Sequence, residues 1–206
     1  MKIGVDKNQF SGKHGPSNRK KHRQMESLGA EIVPLPLPFG DYCLIDDNVQ
    51  AVIDEKGKKI AKKDFLGTVT LAIDTKKNIE EIWGNVCNKS HERFKKELLK
   101  PLQNHAKLVI LIEHGEDIKC LEDVFFFYQP EQVRYKWVTK KDLCGNTVVL
   151  NGKPVKERIS YMQQPIKGDS LYRALRTIRD RYNVRFEFCT REETGLKIME
   201  ILGNDQ

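Results

Sequence analysis

Apolar and polar residues follow two different periods along this chain, and the order of these periods predicts an α/β fold. Short apolar or alternating runs, typical of buried or half-buried strands, occur at residues 2–6, 41–45, 67–73, 107–113 and 184–189. Apolar residues at helical spacing occur at residues 78–86, 91–105, 171–182 and 192–202. A basic helix is predicted at residues 16–28, because Pro16 and Ser17 suit its start and Gly29 its end. Because strands alternate with helices, we expect a central sheet, largely parallel or mixed, flanked by helices.

The stretches between these elements are polar or rich in glycine and proline. Residues 9–15 predict a Gly/Ser/Lys-rich loop. The polar residues between the strands at 41–45 and 67–73 predict a hairpin-like connection. Prolines within and beside residues 31–37 predict that this extended segment is an edge strand, because proline cannot donate a hydrogen bond to a sheet.

Residues 116–168 interrupt the alternation of strands and helices. They are aromatic in places, and Asn151-Gly152 predicts a hairpin turn. We interpret this stretch as an insertion packed on the α/β core, so that residues 1–206 form a single domain. The run Phe125-Phe126-Phe127-Tyr128 is then expected in the core of the insertion, and Trp137 in a core or an interface. The alternative for these aromatic residues is stacking on unpaired bases.

The chain is basic, with a formal net charge of +7 and a pI of about 9.1. A basic protein suits a polyanionic partner, because contacts with phosphates release counterions and steer association. The residues that we expect to bind nucleic acid lie in two predicted helices and are Arg19, Lys20, Lys21, Arg23, Arg173 and Arg176. For each of them the competing interpretation is a solvated helix face.

Cysteine spacing and hydropathy point to a reduced, cytoplasmic protein. The five cysteines are scattered and form no CxxC pair, which argues against a disulfide framework and against a zinc site. No apolar stretch of about 18 residues is present, so no membrane span is expected. The first residues lack the pattern of a signal peptide.

Asp74 and Lys76 are the first candidates for chemistry. Residues two apart in a strand point to the same face, so a carboxylate and an ammonium lie side by side. A carboxylate can bind Mg²⁺, and a nearby lysine can assist a water that attacks phosphate. Asp41, which follows Gly40 at the start of another strand, offers a second carboxylate. The competing interpretations are a solvated strand end for Asp74 and a turn residue for Asp41.

Several short motifs occur in a fixed order: Gly40-Asp41-Tyr42, Asp74-Thr75-Lys76 with Glu80, Arg93 with Glu97, the apolar strand at 107–113, and Glu193-Thr194-Gly195. This order resembles the XPF-type structure-specific nucleases of the PD-(D/E)XK superfamily. The resemblance implies a restriction-endonuclease-like fold, in which a central mixed sheet is flanked by helices, here with an inserted segment.

The resemblance also implies an activity. The chain is expected to be a Mg²⁺-dependent DNA endonuclease, with Mn²⁺ as a substitute, that cuts branched, flapped or single-strand-containing DNA. Asp41 and Asp74, with the main-chain carbonyl of Thr75, are expected to bind the metal, and Lys76 to act in catalysis. Residues expected to support this site are Asp6, Gln9, Glu80, Arg93 and Glu97.

Four positions depart from the family pattern and leave an alternative open. Asp74 replaces a glutamate, a change that the wider superfamily accepts. Thr75 replaces an arginine, Glu80 replaces an aspartate, and Gln9 stands where a glutamate is usual. The alternative is therefore a catalytically inactive DNA-binding module that keeps the nuclease fold. A nucleotide-binding α/β protein is disfavoured, because no Gly-rich phosphate loop follows any predicted strand. The lack of helicase motifs suits a phage or bacterial protein.

A homodimer is the last expectation. Relatives of this type pair their nuclease domains through the final helices and the strand before them. Here Val184, Phe186 and Phe188 give one strand face that is wholly apolar, and the final helix is rich in apolar residues. The alternative is a monomer in which the insertion covers this surface.

Overall fold

The computed structural model describes residues 1–10, 15–87 and 90–204. Most of the loop predicted at residues 9–15 lies outside these ranges. The centre of the protein is a six-stranded sheet. Its strands are β1 (Lys2–Asp6), β2 (Glu31–Leu35), β3 (Tyr42–Leu44), β4 (Leu71–Lys76), β5 (Lys107–Glu113) and β12 (Val184–Cys189).

The sheet is mixed, as the sequence predicts. Its strand order is β12-β5-β4-β3-β1-β2. Pairing is parallel between β1 and β2, β4 and β5, and β5 and β12. It is antiparallel on both sides of β3. The proline-containing β2 lies at one edge, which confirms the prediction made from its prolines.

Helices cover both faces of the sheet. They are α1 (Gly15–Ser27), α2 (Asp47–Lys56), α3 (Ile79–Cys87), α4 (His91–Gln103), α5 (Gly168–Tyr182) and α6 (Thr194–Asn204). Helices α1 and α6 pack on one face, where Met25 and Ile198 meet Ile73 of β4. Helices α2 to α5 pack on the opposite face, where Phe94 and Leu175 join Ala72. Neighbouring residues of one strand therefore contribute to two separate cores.

Strands β3 and β4 are adjacent and antiparallel, as the predicted hairpin-like connection requires, but two details of residues 41–76 differ from the prediction. Strand β4 was predicted at 67–73 but spans Leu71–Lys76, because its pairing with β5 continues as far as Lys76 and Ile112. Asp74 and Lys76 thus lie inside the strand. The connection before β4 contains helix α2, and the carboxylate of Asp46 caps its start by accepting from the Val49 amide at 2.8 Å.

The inserted segment forms three small antiparallel sheets. Its strands are β6 (Tyr128–Gln129), β7 (Gln132–Thr139), β8 (Val149–Leu150), β9 (Lys153–Pro154), β10 (Lys156–Gln163) and β11 (Ile166–Lys167). Strands β7 and β10 form a long two-stranded ribbon, which we call the ribbon below. Asn151 and Gly152 both have positive φ and connect β8 to β9, so the predicted hairpin turn is confirmed.

Only the base of the insertion is buried. Ile118, Leu121, Val124 and Ile166 join the main core. Phe126, Tyr128 and Trp137 are instead 83%, 64% and 68% exposed. The prediction that the aromatic run forms a core is therefore wrong for most of the run. Only Phe127 of these four residues is half-buried against the main core.

The apolar face of β12 is covered within the chain. Val184, Phe186 and Phe188 are buried against the apolar side of α5, which includes Leu171 and Leu175. This face is thus not available to a second copy. In the described parts of the chain, no helix combines the length and apolarity of a membrane span.

Candidate active site

Three chain segments converge at one end of the central strands, and backbone hydrogen bonds hold them together. The Asp6 amide, at the end of β1, donates to the carbonyl of Asp41 at 2.8 Å. The Asp41 amide in turn donates to the carbonyl of Ile73 in β4 at 2.7 Å. Asp41 is therefore fixed between β1 and β4 just before β3 begins.

Gly40 makes this close approach possible. Its φ is +67°, a conformation that residues with a side chain rarely adopt. A Cβ at this position would lie 2.9 Å from the Cβ of Ala72 and 3.0 Å from the carbonyl oxygen of Ile73. The glycine before Asp41 thus lets the loop run directly against β4, which carries the other candidate residues.

Asp41 and Asp74 face each other across the β3–β4 pair. Tyr42 is the register partner of Ile73, so the residue before Tyr42 is opposite the residue after Ile73. The carboxylate of Asp41 also binds β4 directly, because the Thr75 amide and hydroxyl both donate to its Oδ2, at 2.9 and 2.7 Å. The carboxylates that the sequence predicts for a metal site are therefore brought together.

Lys76 lies beside Asp74, as the D-x-K spacing predicts. Its Nζ is 3.0 Å from Oδ1 and 2.8 Å from Oδ2 of Asp74, and it lies 5.6 Å from the centre of the Phe94 ring. Burial of Lys76 favours the neutral amine, but the negative charge and hydrogen bond of Asp74 outweigh burial and raise the pKa of Lys76. Lys76 is therefore an ammonium group in this arrangement.

The two carboxylates create an excess of negative charge. Burial and then the charge of Asp74 raise the pKa of Asp41 to about 6, although the Thr75 hydrogen bonds and Lys76 oppose this. A cation between the two carboxylates would remove this repulsion.

The donor set of the pair fits a magnesium ion. Among the described residues no three or more His, Cys, Asp and Glu side chains cluster as metal ligands. Mg²⁺, however, needs only one or two carboxylates, since it keeps several waters. Among the described residues, Oδ1 of Asp41 accepts one hydrogen bond, which leaves it a second lone pair.

Gln9 and Asn18 orient the carboxylate of Asp41. Gln9 Nε2 donates to Asp41 Oδ1 at 2.5 Å, and Asn18 Nδ2 donates to Gln9 Oε1 at 2.6 Å. Because an ionised carboxylate only accepts, the Gln9 nitrogen faces Asp41 and the Gln9 amide oxygen accepts from Asn18. Sequence reasoning did not identify Asn18, whose only signal is a polar residue in the first turn of a basic helix.

A second buried charge pair lies on the other face of the sheet. Lys21 of α1 donates to Glu113 at the end of β5, and both side chains are buried. Lys21 was predicted to contact phosphates, but it does not share the exposed surface of its neighbours. Glu113 was not among the predicted site residues. A signal for it exists, because it ends a buried strand next to the Asp74 strand.

Three of the predicted supporting residues serve other contacts. Asp6 accepts from the Asn8 amide at 3.0 Å and from Lys62 Nζ at 3.1 Å. Arg93 and Glu97 form an exposed ion pair at 3.5 Å on α4. In the described part of the chain, the side chains of Arg93 and Glu97 form an ion pair only with each other.

Glu80 ties the insertion to the core. It accepts from Gln129 Nε2 at 2.8 Å and from Arg134 Nη2 at 2.7 Å, so it binds the base of the ribbon to α3. Helix α3 begins three residues after Lys76. The predicted supporting residue Glu80 therefore fixes the insertion next to the Asp74–Lys76 pair.

The remaining basic residues form two separate exposed groups. Arg19, Lys20 and Arg23 are exposed on α1, and Arg173 and Arg176 are exposed on α5. Since α1 and α5 cover opposite faces of the sheet, the two groups belong to opposite sides of the molecule.

Comparisons with known proteins identify the fold. No protein-family model and no curated protein sequence matches the chain. Among solved structures, XPF from Aeropyrum pernix matches 98% of this chain and 63% of its own, with 15% identity and a TM-score of 0.50. The same protein in complex with DNA matches 99% of this chain and 64% of its own, with 14% identity and a TM-score of 0.52. This chain thus spans less than two thirds of those chains.

At this level of identity, the matches show the fold. The XPF-type fold, predicted from the order of the motifs, and the α/β class with a central mixed sheet, predicted from the alternation of strands and helices, are confirmed.

Proposed function

We propose that this protein is a Mg²⁺-dependent DNA endonuclease that hydrolyses phosphodiester bonds in branched, flapped or single-strand-containing DNA. The observation that carries the proposal is the convergence of Asp41, Asp74 and Lys76 at one end of β3 and β4. Burial and the charge of Asp74 raise the pKa of Asp41, so a cation between the two carboxylates would be stabilising, and an adjacent ammonium suits a phosphate substrate.

The fold and the charge support DNA as the substrate. The solved protein with the same fold, XPF from Aeropyrum pernix, has been seen in complex with DNA. The net charge of +7 suits a polyanion. Exposed arginines and lysines lie on α1 and α5, where they are accessible to phosphates.

The residues of the site would have different roles: metal binding, stabilisation of negative charge, and orientation of the ligands. Asp41 and Asp74 would hold the ion, with the carbonyl of Thr75 as a further oxygen ligand. When bound, Mg²⁺, or Mn²⁺ in its place, supplies Lewis-acid activation of the phosphate and of a water. Lys76, kept charged by Asp74, stabilises the negative charge that develops on the phosphate oxygens. Gln9 and Thr75 hold the carboxylate of Asp41 in one orientation.

A catalytically inactive DNA-binding module is the second candidate. Two contacts favour it: Lys76 occupies both oxygens of Asp74, and the neutral amide of Gln9 occupies Oδ1 of Asp41. If these contacts persist in the presence of Mg²⁺, the fold is kept without the metal chemistry.

Cleavage of a panel of labelled DNA structures, with Mg²⁺, Mn²⁺ or EDTA, decides between the two. We expect cleavage of branched or flapped DNA with either metal and none with EDTA. Asp41→Asn and Asp74→Asn should abolish cleavage while DNA binding is kept or strengthened, because negative charge near phosphate is lost. Asp54→Asn, at an exposed position of α2, is the matched control. Binding without cleavage by the wild type would favour the inactive module.

A further inference from the structure

The ribbon presents one face of aromatic, apolar and cationic side chains to solvent. Residues that pair across an antiparallel ladder lie on the same face, and each strand alternates between faces. The register therefore gathers on one face Val133, Tyr135, Trp137, Lys156, Arg158 and Met162. Trp137, Tyr135 and Met162 are 68%, 56% and 52% exposed. This exposed face, which we call the aromatic face, is covered by nothing in the described chain.

The charge around the aromatic face is positive. The guanidinium of Arg158 lies 4.1 Å from the centre of the Tyr135 ring. Residues 131–163 contain seven lysines and arginines against three aspartates and glutamates, which leaves a net charge of +4. An apolar surface that is meant for a protein core carries few such charges, whereas aromatic rings beside cations suit bases joined by phosphates.

The opposite face anchors the ribbon near the candidate active site. Arg134 donates to Glu80 of α3 and to Oε1 of Gln163, both at 2.7 Å. Gln129, just before the ribbon, also donates to Glu80. Since Glu80 lies four residues after Lys76, the ribbon is fixed to the element that follows the Asp74–Lys76 pair.

The spacing of the two rings favours an unpaired strand over a duplex. Tyr135 and Trp137 are two residues apart in β7, and side chains at this spacing are about 7 Å apart. Nucleotides in a duplex strand rise only about 3.4 Å each. Successive bases can reach both rings only when the strand is stretched out of its helix.

We propose that the aromatic face binds an unpaired DNA strand, with bases stacked on Tyr135 and Trp137 and phosphates held by Arg158 and Lys156. That the ligand is DNA rests on the proposed function. The ribbon then selects substrates that carry a single-stranded arm next to the site of cleavage. It supplies a stacking platform of the kind that single-strand-binding proteins use.

Binding in EDTA tests this proposal separately from cleavage. The chain has two tryptophans, so the variant Trp83→Phe leaves Trp137 as the sole tryptophan. We expect an unlabelled oligo(dT) strand to quench its fluorescence, and a blunt duplex of the same length to leave it nearly unchanged. Quenching by neither probe, or by both equally, would overturn the proposal whether or not the protein cleaves DNA.

Affinity for labelled oligo(dT) gives the second measurement. Tyr135→Ala combined with Trp137→Ala should weaken binding by at least about tenfold, since each stacked base contributes to affinity, while binding of the blunt duplex changes less than about twofold. Val149→Ala combined with Leu150→Ala is the matched control, because these apolar residues are also exposed but lie outside the ribbon. An unchanged oligo(dT) affinity, with or without a change in the mass of the protein in solution, would overturn the proposal. A change in mass would assign the face to a second copy.

Discussion

Lys76 and Lys77 are neighbours in sequence, but their side chains have opposite environments. Lys76 is buried against Phe94 and paired with Asp74, while Lys77 is exposed. Because the ammonium is fixed where phosphate charge would develop, Lys76→Ala should lower the rate of cleavage by at least two orders of magnitude, about 3 kcal/mol. Lys77→Ala is the control and should change the rate little. The measurement is single-turnover cleavage of one labelled substrate.

Thermal unfolding of the same variants separates catalysis from stability. Lys76→Ala leaves the Asp74 carboxylate without its ion-pair partner, so some loss of stability is expected. The rates are therefore compared at a temperature at which both variants are folded. Equal rate losses at the two lysines would show that the strand presents its faces differently in the complex with DNA.

Gln9 is a neutral residue that donates to Asp41, and glutamate at this position would add a negative charge there. In Gln9→Glu, the donor to Asp41 is lost and a carboxylate replaces it, so we expect the metal-free protein to lose about 1–3 kcal/mol of stability. Mg²⁺ should stabilise this variant more than the wild type, because a third carboxylate increases cation affinity. Thermal unfolding with EDTA and with Mg²⁺ measures both effects. Gln103→Glu, at an exposed position of α4, adds the same charge elsewhere, and an equal Mg²⁺ shift in all three proteins would contradict the prediction.

At the scale of residues, the sequence predicts contacts that depend on local spacing. Asp74 and Lys76 are neighbours because a strand has a period of two, and that pairing could be read directly. The contact of Gln9 with Asn18 depends on how α1 packs against the short 3-10 helix at Lys7–Phe10. The contact of Lys21 with Glu113 depends on how α1 packs against a distant strand. No local pattern encodes such a distance, so these pairs appear only in the folded chain.

At the scale of elements, Gly40 decides whether the loop before β3 can approach β4. Gly40→Ala places a Cβ against Ala72 and the Ile73 carbonyl at a φ of +67°. We expect a loss of about 2–4 kcal/mol, the sum of left-handed strain and overpacking. Gly67→Ala is the matched control, because Gly67 has a φ of +78° but no atom within 4 Å of the added Cβ. Its cost should be about 1–2 kcal/mol, from strain alone.

Denaturant unfolding of the two glycine variants measures this difference. Gly40→Ala should also slow cleavage, because it displaces Asp41, while Gly67→Ala should leave the rate unchanged. Equal losses of stability at the two positions would mean that the loop moves away from β4 without cost.

The elements that the sequence predicts best are strands whose apolar pattern is clear along their whole length. Strands β5 and β12 have the predicted bounds, because continuous or alternating apolar residues end abruptly at each end. Strand β4 was misplaced, since its polar end is stabilised by pairing with β5 and by Asp41 rather than by its own apolar residues. Helix α2 was missed for a similar reason: it is rich in polar residues, and only Val49 is fully buried.

At the scale of the whole molecule, the direction of α5 predicts which of its arginines reach DNA. Helix α5 ends where β12 begins, and β12 runs parallel to β5 and β4. The start of α5 therefore lies near the end of the sheet that holds Asp74, and the end of α5 lies at the far end. Arg173 and Arg181 are separated by about 12 Å along the helix.

The salt dependence of DNA binding tests this gradient. Arg173→Gln should reduce the slope of log K against log salt concentration by about one unit, as expected for one lost phosphate contact. Arg181→Gln, also exposed, should leave the slope unchanged. Arg19→Gln combined with Lys20→Gln, at the start of α1, should reduce it by about two units. If the slope of each variant equalled that of the wild type, the arginines and lysines would lie on solvated helix faces that do not contact phosphates.

The homodimer stays a prediction, and the fold limits the surface that it can use. The apolar face of β12 is covered by α5 of the same chain, and Ile198, Ile201 and Leu202 of α6 are buried in the second core. At that side of the sheet, the edge of β12 and Leu196, which is 52% exposed, are available to a second copy.

A dimer that pairs through this edge should depend on Leu196. Leu196→Glu should then convert it to a species of 23.9 kDa, the mass of one chain, in light scattering at micromolar concentration. Leu143→Glu is the control, because Leu143 is also exposed but lies in the insertion. Its dimer should persist, since the charge is added far from the β12 edge. A wild-type protein that already has the mass of one chain would contradict the dimer.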